Sequence, residues 1–147
     1  MTISLGFYAD SALTTLFQLG ATLTKAFADD GSTGSIDVLV YLGSPESSFV
    51  FQLASAPGTG QIAVEIADSA GGSGQAASAI KLALSSGGLA GATGGAALNV
   101  GTQITSGVGN AIPIYLRITP SSLTFGTYTD LQLQTAGGAN GIRQIAA

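Results

Sequence analysis

The spacing Gly72-x-Gly74-x-x-Ala77 follows the alternating segment QIAVEIAD. It matches the glycines with which a dinucleotide fold brings backbone against a pyrophosphate. That chemistry also needs an acidic residue about 20 positions further on for the ribose, and no Asp or Glu lies between Ser69 and Thr129. In a chain with 22 glycines the spacing arises readily from composition, and an ordinary loop is the better reading. The acids Asp10, Asp29, Asp30, Asp37, Glu46, Glu65, Asp68 and Asp130 are scattered. Only Asp29 and Asp30 adjoin, inside DDGSTG, where aspartate serves a turn by bonding local backbone. Calcium there would need several more converging oxygens, and no motif singles out a carboxylate pair for glycoside hydrolysis. Serine is abundant, yet histidine and cysteine are both absent. That absence removes imidazole bases, thiolate nucleophiles, disulfides and His/Cys zinc sites together. A Ser-Lys pair would need Lys25 or Lys81 desolvated beside a hydroxyl. AIKLAL instead puts Lys81 on an exposed strand face, where, if opposite Glu65, it could form a cross-strand ion pair worth only about 0.2–1 kcal/mol. The residues therefore indicate no enzyme, no catalytic residue, no cofactor and no metal.

The elements that position these side chains are strands. In QIAVEIAD, Ile62, Val64 and Ile66 share one parity and Gln61, Ala63 and Glu65 the other, as in a strand with one face in a core. AIPIYLRIT sets Ile112, Ile114, Leu116 and Ile118 against Pro113, Tyr115 and Arg117. Proline donates no ladder hydrogen bond, so this strand is expected at an edge or with a bulge. SIDVLVYLG turns Ile36, Val38, Val40 and Leu42 inward, but Leu39 and Tyr41 make its second face apolar as well, so that face should also be covered. TISLGFY, ATLTKAF, SFVFQLA, ALNVGTQIT and DLQLQT complete eight or nine short strands separated by turn signals at Asp30-Gly31, Pro45, Pro57 and Pro120. SALTTLFQL fits either a single helical turn after Asp10 or a loop. GQAASAIKLALSS, short and bracketed by glycines, reads as a strand. Half of the 22 glycines fall between Gly71 and Gly109, interleaved with apolar residues, which describes long loops lying over a surface rather than a linker. Gly126-Thr127-Tyr128 resembles the tyrosine corner of immunoglobulin-like sandwiches, although parity sets Tyr128 opposite Leu131 and Leu133.

The expected fold is therefore all-β: a single-domain β-sandwich, immunoglobulin-like if the corner forms, over residues 1–135, with a Gly-rich tail at 136–147. The 147 residues suit one core, and no apolar run approaches the roughly 20 residues of a membrane span. Only 8% of the residues are charged against 46% hydrophobic. Such a surface is weakly repelled by copies of itself, so self-association as a dimer or trimer is expected. Net charge −4 with four basic residues argues against nucleic acid. The start MTISLGFYAD carries no export pattern, so synthesis and use in the cytoplasm of the producing cell is the expectation. The candidate interface comprises Ile36, Leu39 and Tyr41 on the doubly apolar strand, with Ile142 and Ile145 in a tail that would order against a neighbour.

Taken together, ISLGFYAD, VYLGS, IKLAL, GLAGATGGAALNVGT and GTYTDLQLQT resemble a family of small structural proteins of tailed-bacteriophage virions, from Ile3 to about Thr135. The resemblance implies a β-sandwich component of the particle. It implies a head decoration protein on the capsid surface, made in the host cytoplasm and binding the major capsid protein lattice, with a tail or connector role as the alternative. No functional residue carries over from it. An extracellular adhesin or pilus-like module shares the Thr/Gly-rich strand style, and would need an export signal upstream.

Overall fold

The computed structural model describes residues 5–17, 34–69, 74–120, 131–136 and 141–147. These residues form an all-β, sandwich-like domain. Ten strands follow one another: β1 (Gly6–Tyr8), β2 (Ile36–Gly43), β3 (Phe49–Leu53), β4 (Ile62–Asp68), β5 (Ile80–Ala83), β6 (Leu98–Gly101), β7 (Gln103–Thr105), β8 (Ile112–Ile118), β9 (Leu131–Thr135) and β10 (Ile142–Ala146). They pair antiparallel in one four-stranded sheet, β1-β2-β8-β5, and two three-stranded sheets, β10-β3-β7 and β6-β4-β9. ATLTKAF, the Asp29-Asp30 turn and the Tyr128 corner lie outside the described residues.

Period-two patterning decides which side chains meet. Val40, Leu42, Leu82, Ile114 and Leu116 of the first sheet, Phe51 and Ile104 of the second, and Ile62 and Val64 of the third form a single buried cluster. All three sheets thus close on one interior, which is why alternation in QIAVEIAD and AIPIYLRIT is so regular. The second and third sheets share a continuous run of chain. β6 pairs with β4 and β7 with β3, with only Thr102 between them. At the corner Gly101 takes φ +124, and the β4–β6 register shifts between Ile62 and Ala63. A glycine at such a bulge turns the strand from one sheet into the next, in a backbone region that side chains disfavour.

Several expectations change. Pro113 sits on a strand with neighbours on both sides, but β5 covers β8 only from Ile118 to Tyr115. Pro113 lies past the end of β5, so the local edge that proline requires is present. Lys81 does not face Glu65. It lies opposite Arg117 on β8, while Glu65 is in the third sheet beside Gln134, whose side-chain amide donates to it at 2.8 Å. The segment after Asp10 takes the loop alternative, not a helical turn. The Ala9 N–H donates to the Thr15 carbonyl and the Phe17 N–H to the Phe7 carbonyl, and Leu16 bridges to Tyr8. The tail supplies β10, paired with β3 of its own chain from Ile142↔Leu53 to Ala146↔Phe49.

Two buried serines contrast. The Ser106 hydroxyl accepts the Phe49 N–H at 3.0 Å, whereas the Ser44 hydroxyl, with no exposed surface, has no hydrogen-bond partner among the described residues. An unpartnered buried hydroxyl carries a desolvation cost with no return. Ser44→Ala is expected to stabilise the fold by about 1 kcal/mol, seen as a higher urea midpoint. Ile114→Ala, at the centre of the cluster, is expected to cost about 2–5 kcal/mol in the same measurement.

Candidate functional site

Each sheet has an outward face, and the three differ in chemistry. On the second sheet, Arg143, Gln52 and Gln103 sit in register and bond in a row, with Arg143 Nη2 donating to Gln52 Oε1 at 3.2 Å and Gln52 Nε2 to Gln103 Oε1 at 3.5 Å. On the third, Glu65 and Gln134 pair amid Ala63, Ala67, Asn99 and Gln132. The amides on both faces largely satisfy one another, and the second sheet's face also carries the apolar pair Val50 and Ile145.

The first sheet is different. Opposite the core positions, its registers align three rows: Tyr8–Tyr41–Pro113, Leu39–Tyr115–Ala83 and Asp37–Arg117–Lys81. Two rows are apolar or aromatic and the third is ionic. Both ends of the face are covered from within the described chain. Gly6 and Gly43 pair across β1 and β2. A Cβ on Gly43 would fall 2.9 Å from Leu13 Cδ1, and one on Gly6 only 2.7 Å from Leu16 Cδ1. The glycine pair therefore opens the slot in which the loop lies, and Leu13 is 3% exposed there. At the other end the 3-10 turn Gly87–Leu89 packs beside Ala83, with Leu89 wholly buried outside the main cluster. Between these covers Leu39, Tyr41, Pro113 and Tyr115 remain half-buried.

Electrostatics mark two places around this face. Arg117 grips Asp37 bidentately, Nε to Oδ1 at 2.7 Å and Nη2 to Oδ2 at 2.8 Å. The Arg117 hydrogen bond holds the Asp37 carboxyl below the ordinary carboxylate range, and the same contact raises Arg117. Asp10 ties down the covering loop. Its carboxylate accepts the Thr14 N–H and hydroxyl at 3.1 Å each and the Thr15 N–H at 2.7 Å. The Thr14 backbone bond leads the causes that hold its carboxyl below the usual range. Leu13 pays for this arrangement with φ +55, a left-handed backbone that a leucine adopts only when its side chain is held. Burial, and then the charge of Glu46, push the Tyr8 phenol up.

Of the five interface residues read from the sequence, the structure brings together Leu39 and Tyr41. Ile36 points to the opposite, core-facing parity with Ile118 and Ile80. Ile142 packs against the core, and Ile145 lies beside Val50 on the outer face of the second sheet. Pro113, Tyr115, Arg117 and Lys81 were missing from that set. Their parity was readable, since each alternates with a core residue, but their registration against Leu39 and Tyr41 was not.

Among the described residues no three His, Cys, Asp or Glu side chains come together as metal ligands, and no helix is long and apolar enough to cross a membrane. Gly74 opens onto a 3-10 turn of three residues, Ala77–Ala79, that leads directly into β5. There is no α-helix at that point to receive a pyrophosphate, and Gly72 lies outside the described residues. Comparison with known protein families, curated proteins and solved structures gives no match for this chain.

Both depressed carboxyls set the acid response. A carboxyl whose folded pKa is lowered contributes stability that is complete above its unfolded pKa and is lost as pH falls through the folded one. The melting temperature is expected to stay level down to about pH 5 and to fall below it. Asp10→Asn should lower it at neutral pH and flatten the acid limb, because one amide cannot accept all three bonds. Differential scanning calorimetry across pH measures both.

Proposed function

We propose that this protein acts by docking, as a structural component of a tailed-bacteriophage particle. In this reading it is a capsid decoration, or cement, protein seated on the virion surface and bound to the major capsid protein lattice. The observation that carries the reading is the outer face of the first sheet, where Leu39, Tyr41, Pro113 and Tyr115 lie half-buried in two adjoining rows. Aromatic and aliphatic side chains gathered on a rigid sheet, bordered by charge, are the makings of an interface core with a polar rim. The resemblance of ISLGFYAD, VYLGS, IKLAL and GLAGATGGAALNVGT to virion structural proteins supplies the partner. A ligand that binds only the assembled lattice stabilises assembly by mass action, and repetition over many sites multiplies modest contacts. The role is one of binding without a reaction. An immunoglobulin-like form of the sandwich belongs to the same proposal and rests on Tyr128. So does self-association as a dimer or trimer through another part of the low-charge surface, which native mass spectrometry showing monomer alone at micromolar concentration would remove.

Purified protein added to undecorated capsids is expected to raise their melting temperature, and Tyr115→Ala to weaken that effect. Absence of binding to capsids would turn the assignment to the tail or connector.

A further inference from the structure

The third row of the docking face is not neutral. Lys81 and Arg117 stand directly opposite each other on β5 and β8, in a chain of net charge −4 that has only four basic residues. Like charges in register oppose strand pairing unless something compensates them. Asp37 compensates Arg117, engaging both of its carboxylate oxygens. Among the described residues no carboxylate comes within ion-pair distance of Lys81. Among these residues one positive charge is therefore unmatched at the border of the apolar rows, two residues along the strands from Leu39, Tyr115 and Ala83, which is about 7 Å at the rise of an extended chain.

Resting on the docking role proposed above, we infer that the partner presents an Asp or Glu carboxylate to Lys81 and Arg117, set about 7 Å from an apolar side chain that packs on Leu39 and Tyr115. An extended acidic segment with the carboxylate two positions from a hydrophobic residue has this pattern. A second copy of this chain carries the same pattern in Asp37 and Leu39, but its Asp37 is already gripped by Arg117 through both carboxylate oxygens, so reaching another copy's Lys81 would cost that bidentate pair. Nucleic acid is equally unsuited, since two cations, one already paired, neutralise too few phosphates to hold a strand.

The test uses the full chain bound to undecorated capsids and a carbodiimide, which joins an amine to a carboxylate only where the two already touch. The chain has two lysines, Lys25 and Lys81. Mass spectrometry is expected to find Lys81 joined to a capsid Asp or Glu. Lys81→Glu should weaken capsid binding about tenfold and flatten its salt dependence. That substitution hands Arg117 a cross-strand carboxylate, so the sheet should be retained, and an unchanged circular dichroism spectrum checks this. Capsid binding of Lys81→Glu within about twofold of the unsubstituted chain would overturn the inference while leaving the docking role standing. A crosslink from Lys81 to an acid of a second copy would overturn it as well. Failure of the unsubstituted chain to bind capsids removes the docking role itself, and this inference with it.

Discussion

The antiparallel register of β2 against β8 is the constraint on which the other features depend. It runs without a break from Ile36↔Ile118 to Leu42↔Ile112. Strand side chains alternate with a period of two, so a slip of one residue would turn one strand over relative to the other. Either Val40 and Leu42 would leave the interior while Asp37 and Tyr41 entered it, or Ile114 and Leu116 would leave while Arg117 and Tyr115 entered. The cost of burying one of those charges away from its partner, added to the loss of half of the pair's apolar contacts, makes the register strongly determined. The Asp37–Arg117 bond works as a surface marker of correct pairing more than as a source of stability, because both groups remain open to water.

From that pairing the rest of the first sheet follows outward. β5 adds to β8 beyond Pro113, where the missing N–H does no harm, and β1 adds to β2 at the paired glycines. The loop after β1 then returns over the sheet because Gly6 and Gly43 leave room for Leu13 and Leu16. Asp10 holds the turn from one side and the burial of Leu13 holds it from the other. A strained φ at Leu13 persists because both ends of the turn are fixed.

Much of this architecture was legible in the residues. β2, β4 and β8 declare themselves by strict alternation, and β5 by its bracketing glycines, so the all-β sandwich could be read before any pairing was known. What alternation does not encode is which strand lies beside which. Lys81 and Glu65 both sit on outward faces, which made an ion pair plausible, yet they belong to different sheets. The tail looked unattached because IRQIA is weakly apolar, and its strand is set by the neighbouring β3, not by local propensity. The candidate site suffered in the same way. Leu39 and Tyr41 were visible as an excess of apolar residues on one strand, but Pro113, Tyr115, Arg117 and Lys81 became part of the same surface only through long-range register. Asp10 gave the loop away only in part, since a carboxylate before Thr-Thr suits a helical turn and a tight loop equally well.

The corner at Gly101 has a mechanical meaning. Because β6 runs into β7 with one residue between them, the second and third sheets are joined by covalent backbone as well as by shared packing. A force on β3 would cross the hydrogen bonds to β7, run along peptide bonds through Thr102 and that glycine into β6, and reach β4 across the β6–β4 hydrogen bonds. In the cementing role proposed above, a swelling particle would meet, on this side of the protein, a continuous brace instead of two plates free to slide.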